Sequence, residues 1–121
     1  MAGTLTVSTI SDETNSTSAT NIIRGSLKAW MNYKGNSPYS VRASFNVSSV
    51  TYNGSGDYSM NFTTALTDVN YCASGITGPK GVNSEALTLF SYVSASVVRI
   101  QSSAGNSTSS DAPNINCNVV R

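Results

Sequence analysis

The chain has 121 residues, a formal net charge of +1 and only 11% charged residues, so it is one domain of ordinary size with a nearly neutral surface. Ser, Thr and Asn supply 22, 13 and 13 positions, and abundant Val and Ile accompany them, which separates the composition from that of a charged disordered chain. The seven basic residues are Arg24, Lys28, Lys34, Arg42, Lys80, Arg99 and Arg121. They are scattered singly, so no cluster exists to neutralise a row of phosphates and no nucleic-acid partner is expected.

The first ten residues, MAGTLTVSTI, have neither a charged n-region nor a long apolar h-region, so a signal peptide is not expected. The chain has no apolar run long enough for a spanning helix, and no membrane insertion is expected. Thr4 to Ile10 has strand character. Ser11 to Thr20, SDETNSTSAT, cannot bury enough apolar surface to fold alone. Residues 1–24 are therefore predicted to be an extended N-terminal arm that orders against another copy of the chain or a larger assembly.

From residue 25 onward strand signals dominate and no window keeps a 3.6-residue period. Leu27, Ala29, Met31 and Tyr33 alternate with Lys28, Trp30 and Asn32. Lys34 to Pro38 is a loop by composition, and Tyr39 opens the next strand. Ala43, Phe45 and Val47 then alternate with polar residues, as do Tyr58, Met60, Phe62 and Thr64, across Asn53-Gly54-Ser55-Gly56. Asn and Gly tolerate the positive φ of tight turns, so Ala43 to Thr64 is predicted to be a β-hairpin with one apolar face. Asn70 to Ser74 is a short strand, and Gly75 to Gly81 a loop. Ala86 to Tyr92 and Ala95 to Gln101 are two more strands. Ser102 to Pro113 is a polar loop, and Ile115 to Val120 closes the chain with Ile115, Cys117 and Val119 on one face. The predicted fold class is all-β: a single small antiparallel β-sandwich, jelly-roll-like, over residues 25–121.

Chemistry is conspicuous by what is missing. The chain has no His, which removes the commonest general base and metal ligand and forbids a Ser–His–Asp or Cys–His arrangement. The carboxylates are Asp12, Glu13, Asp57, Asp68, Glu85 and Asp111. Several fall in turns, where Asp is favoured for local hydrogen bonding. Asp57 with Glu85 is the pair a glycosidase would require, but 121 residues leave little room for a carbohydrate groove. The segment Gly75 to Gly81 lacks the Lys placement and the following helix of a phosphate loop. No enzymatic activity, cofactor or metal is expected. Asn15, Asn46, Asn53, Asn61 and Asn106 each open an Asn-x-Ser/Thr triplet, a number that this composition produces by chance. Cys72 and Cys117 are expected to be small buried strand residues. A disulfide between them requires Cα atoms within about 7 Å.

Two exposed aromatics are the candidate interface or ligand contacts. Trp30 falls on the polar face of its strand, and Tyr52 lies near the hairpin tip. Such aromatics mark subunit interfaces or sugar-stacking platforms. The plainer alternative for Trp30 is burial by the arm or by the other sheet.

Residues 25–72 also carry a family pattern. Lys28-Ala29-Trp30 with Asn32-Tyr33 is followed by Arg42 and Ser44-Phe45-Asn46-Val47-Ser48-Ser49. Gly56-Asp57-Tyr58, Asn61-Phe62-Thr63 with Ala65, and Asp68 with Asn70-Tyr71 complete it. This stretch resembles a module recurring in tail-fibre and other virion proteins of tailed bacteriophages, notably cyanophage-like ones. Residues 8–26 resemble the linker that precedes the module. The resemblance implies a virion structural protein made in the host cytoplasm, a fibre or capsid-decorating module. It also implies homotrimers, and an arm that docks on a phage capsid or tail protein. Contact with the host surface, through a glycan, follows from the same resemblance. The alternative is a carbohydrate-binding module used for host-surface adhesion.

Overall fold

The structure is a computed structural model and describes residues 3–78, 86–104 and 109–121. Its N-terminal region is not extended throughout. Strands β1 (Thr9–Ser11) and β2 (Ser16–Ser18) pair antiparallel. The Asp12 carboxylate builds the turn between them by accepting the Thr14 and Asn15 N–H groups at 3.1 and 2.7 Å. Helix α1 (Ala19–Gly25) follows, with the Ser18 side chain accepting the Asn21 N–H as N-cap. These local hydrogen bonds are what the polar run offers in place of a core. The small unit buries nothing: α1 has no buried residue, Leu5 is 84% exposed and Ile23 is 64% exposed.

The sandwich begins with β3 (Leu27–Lys34) and β4 (Ser40–Phe45). It continues through β5 (Val47–Gly54), β6 (Asp57–Phe62), β7 (Cys72–Thr77), β8 (Ala86–Ser94), β9 (Val97–Ala104) and β10 (Ile115–Val120). Two four-stranded antiparallel sheets form, in the orders β4-β3-β10-β7 and β5-β6-β9-β8. Period-two alternation puts one side of the central strands β3, β10, β6 and β9 between the sheets. Ala29, Met31, Tyr33, Ile115, Cys117 and Val119 from the first sheet meet Tyr58, Met60, Phe62, Val98 and Ile100 from the second. Each fully buried large apolar side chain among them stabilises the fold by about 1.5–3 kcal/mol. Thr77 and Thr88 join the sheets by a hydroxyl–hydroxyl bond of 2.9 Å.

Three expectations are corrected. The run Ala43 to Val47 is not one strand arm. It breaks at Asn46, where φ is +55°, and the chain leaves β4 in the first sheet for β5 in the second. The break reverses the face assignment, so Ala43 and Phe45 point outward and are exposed, whereas Val47 packs against the core. Gly75 to Thr77 belong to β7, not to a loop. A Cβ at Gly75 would lie 2.0 Å from the Asn116 carbonyl oxygen, so the glycine admits β10 at close range. Gly78 follows the strand, its N–H donating to the Asn114 carbonyl at 2.6 Å, and residues 79–81 of that predicted loop lie outside the described residues. Both cysteines are free, Cys117 buried as expected but Cys72 exposed.

Asn46 tolerates the left-handed conformation and secures it. Its amide donates to the Lys28 and Thr64 carbonyls at 2.9 and 3.1 Å, and its Oδ1 accepts the Thr64 N–H at 2.8 Å. Asn46→Ala is expected to lower unfolding stability by about 2–4 kcal/mol, the cost of three lost bonds and a strained φ. Asn46→Gly, free at that φ, should lose less. Urea unfolding followed by circular dichroism checks both.

Candidate functional site

Trp30 and Tyr52 sit in different environments, and the fold does not bring them together. Trp30 lies on β3 between buried Ala29 and buried Met31, so its ring is on the outer face of the first sheet, half-buried. Opposite it across the ladders are Phe45 on β4 and Asn118 on β10, with Ser74 of β7 opposite Asn118. The neighbouring row runs Ala43, Asn32, Asn116, Ile76. An irregularity in the β3–β4 register leaves Arg42 as an extra residue on β4. Its guanidinium donates to Asn32 Oδ1 at 3.1 Å, to Asn114 Oδ1 at 2.8 Å and to the Pro113 carbonyl at 3.0 Å. Lys28 is likewise occupied, donating to the Ile23 carbonyl and the Ser26 hydroxyl. The face is thus an aromatic pair beside neutral amides, with Arg42 and Lys28 already bound and Lys34 at its margin opposite Ser40.

Tyr52 lies at one end of the sandwich, on β5 opposite Tyr58. Its ring centroid is 4.7 Å from that of Tyr39 and 5.8 Å from that of Tyr58. The hydroxyls of Tyr39 and Tyr52 donate to Asp111 Oδ2 at 3.3 and 3.4 Å, and the Gly56 N–H donates to Oδ1 at 2.8 Å. The buried Tyr58 hydroxyl lies 2.6 Å from the Gly35 carbonyl and 3.0 Å from Asp111 Oδ1, and its one proton serves these two acceptors. One carboxylate therefore ties the β5–β6 turn, the residue after the Ser37–Pro38 bond and the approach to β10. Glycine is required at position 56: φ is +68° and a Cβ would meet the Ser102 carbonyl at 2.3 Å.

The outer face of the second sheet is closed on itself over β5, β6 and β9, and it leaves Leu87 and Leu89 of β8 exposed. The Asn61 amide donates to the Ser49 and Thr51 hydroxyls at 3.1 and 3.0 Å, and Asn53 donates to the Ser59 hydroxyl at 2.8 Å. Arg99 binds both Asp57 oxygens, and that guanidinium holds the Asp57 carboxyl below its usual range. Asp57 is thereby engaged as a structural anion. Glu85, its suggested partner, lies outside the described residues, as does Lys80.

Phe45, Asp111 and Tyr39 escaped the sequence reading. Phe45 was assigned inward by unbroken alternation. Asp111 sits in a polar loop with no local signal of long-range tyrosine partners. No helix among the described residues is long and apolar enough to cross a membrane. No protein-family model, no curated protein and no solved structure matches the chain.

Burial, and then the Asp111 hydrogen bond, push the Tyr58 phenol above its ordinary value of 10.0, and burial raises Tyr33 and Tyr71 as well. Burial pushes the Cys117 thiol from 9.0 up to about 12. Folded-state values above unfolded ones mean that the native protein holds protons the unfolded chain has already released. Stability is therefore full below about pH 9 and declines as pH rises through the folded values. The urea midpoint should fall above that pH. Tyr58→Phe should cost about 1–3 kcal/mol at neutral pH, because it strips the Gly35 carbonyl of its donor, and should flatten the alkaline decline. A thiol-reactive disulfide reagent should label Cys72 in the native protein and Cys117 only after unfolding.

Proposed function

We propose that this chain is a non-enzymatic structural module of a tailed-phage virion, exposed on the particle surface and anchored through its N-terminal segment. The observation that carries this reading is the structural role of the residues that bear the resemblance. Asn46 secures the passage between sheets, Asp57 pairs with Arg99, Asn61 laces β5 to β6, and Asp68 pairs with Arg121. Arg42 braces the approach to β10, and the buried Tyr71 hydroxyl donates to the Val97 carbonyl at 2.9 Å. A recurring pattern made of framework residues suits a module reused for its shape, not for a reaction.

The N-terminal segment supports the anchoring role. Its hairpin and helix leave Leu5, Ile10, Ile22 and Ile23 uncovered, apolar surface that a second chain would bury. The self-satisfied polar surface over β5, β6 and β9 suits a module standing in solvent on a particle.

Sedimentation of the purified chain should give the mass of a homotrimer, and a gold-conjugated antibody against it should label intact particles on their surface. A stable monomer that is absent from purified virions overturns the reading.

A further inference from the structure

We propose that the outer face of the β4-β3-β10-β7 sheet is a binding platform for a neutral glycan, with Trp30 and Phe45 as the stacking surface and Asn118 and Asn116 as the hydrogen-bonding edge. The proposal deepens the surface-module reading, since it supplies the chemistry of contact with a host surface.

Three observations carry it. The first is the contrast between the two outer faces. On the second sheet the amides of Asn53 and Asn61 spend their donors on neighbouring hydroxyls and on Asp57. On the first sheet Asn118 is exposed and Asn116 half-buried, and among the described residues neither side-chain amide has a protein partner. The bond recorded at Asn118 involves its backbone carbonyl alone. Two open amides flanking an aromatic ring are groups whose donors and acceptors remain free for a ligand.

The second is geometry. Trp30 is directly opposite Phe45 on one side and Asn118 on the other. Adjacent strands lie about 4.8 Å apart, so the row from Phe45 to Ser74 spans roughly 14 Å of a pleated face, the length of a short oligosaccharide. A pyranose ring has an apolar C–H face and a hydroxyl rim. Laid on Trp30, it would place its rim over Asn118 along the row and over Asn32 and Asn116 beside it. Arg42 holds Asn32 Oδ1 at 3.1 Å, which orients that amide with its N–H₂ outward.

The third is charge. Neither a carboxylate nor a cation belongs to either row. Lys28 and Arg42 beside them are bound by oxygens of the chain itself, and Lys34, also on the outer side of β3, lies beyond Asn32 opposite Ser40 at the margin of the face. A sialylated or sulfated ligand finds no cation within either row, whereas a neutral sugar meets matched neutral donors and acceptors. A protein partner would instead favour a more continuous apolar core at the centre of the face than one aromatic pair ringed by amides.

Trp30 is the single tryptophan of the chain, so its fluorescence reports on this face directly. The full chain is titrated with neutral cello-, manno-, malto- and xylo-oligosaccharides, with sialyl-lactose as the charged comparison. The expected result is a saturable shift of Trp30 emission with at least one neutral series and none with sialyl-lactose. By calorimetry, Asn118→Ala and Phe45→Ala should weaken that binding by at least about tenfold, while Leu89→Ala, on the outer face of the other sheet, leaves it unchanged. Trp30→Phe, which keeps a ring and the fold, should bind more weakly, and its circular dichroism establishes that it is folded. Absence of a response to every neutral series overturns the proposal, as does binding indifferent to Asn118→Ala and Phe45→Ala. Trp30 emission shielded from acrylamide in the assembled protein and released on dilution also overturns it, because the face is then a subunit interface. Particle labelling is read separately. A chain found on virions that binds no glycan sinks this proposal alone, and a glycan-binding chain absent from virions sinks the virion reading alone.

Discussion

Asn46 stands at the point where the chain passes from one sheet to the other, and the architecture turns on how that single residue is held. A sandwich requires consecutive strands to change layers without leaving buried backbone groups unpaired. Here one residue does it: the positive φ redirects the chain, and a side-chain amide replaces three ladder bonds to Lys28 and Thr64. The consequence reaches both faces of the first sheet. With β4 decoupled from β5, Phe45 is free to face outward beside Trp30 while Val47 packs inward. The aromatic pair on the outer face therefore follows from the layer change.

The two outer faces have been furnished differently from the same alphabet of Ser, Thr and Asn. On the β5, β6 and β9 strands of the second sheet the short polar side chains bond to one another and to the Asp57–Arg99 pair, and that part of the surface makes few demands on a partner. An exposed ion pair of this kind contributes little stability, about 0–1 kcal/mol, so its role is better described as neutralising charge than as holding strands. On the first sheet Lys28 and Arg42 are folded back onto the chain, and among the described residues the Asn116 and Asn118 amides are left open beside Trp30. Polar composition alone does not distinguish a finished surface from an unfinished one. The distribution of partners does.

The tyrosine cluster around Asp111 closes one end of the sandwich by a different route. Tyr33 and Tyr58 are core residues whose rings meet edge to face at 5.7 Å, and the hydroxyl of Tyr58 carries the polar network from the core to the surface. Tyr52 and Tyr39 stack above it. Tyr52 is thus one of three phenols sharing a carboxylate, and its partly exposed ring is as much a consequence of that network as a contact surface in its own right.

Elements whose two faces differ strongly in polarity can be read from the amino-acid order alone. The inward residues of β3, β6, β9 and β10 are legible because Met31, Tyr58, Met60, Ile100 and Cys117 sit two apart among polar neighbours, and period-two burial needs no knowledge of the partner strand. The β5–β6 hairpin is legible from Asn53-Gly54-Ser55-Gly56, because turn chemistry is local. Most of the remaining features depend on contacts between segments distant in the chain. The sheet change at Asn46 is invisible to alternation, since a positive φ inverts faces without altering the hydrophobic pattern. The inclusion of Gly75 in β7 depends on how closely the Asn116 carbonyl approaches. The short N-terminal hairpin and helix arise from capping by Asp12 and Ser18, too brief to leave a periodic signal. Trp30 could be placed on the polar face of a strand, but its neighbours Phe45, Asn118 and Ser74 come from three other strands, and only strand order and register bring those four residues together.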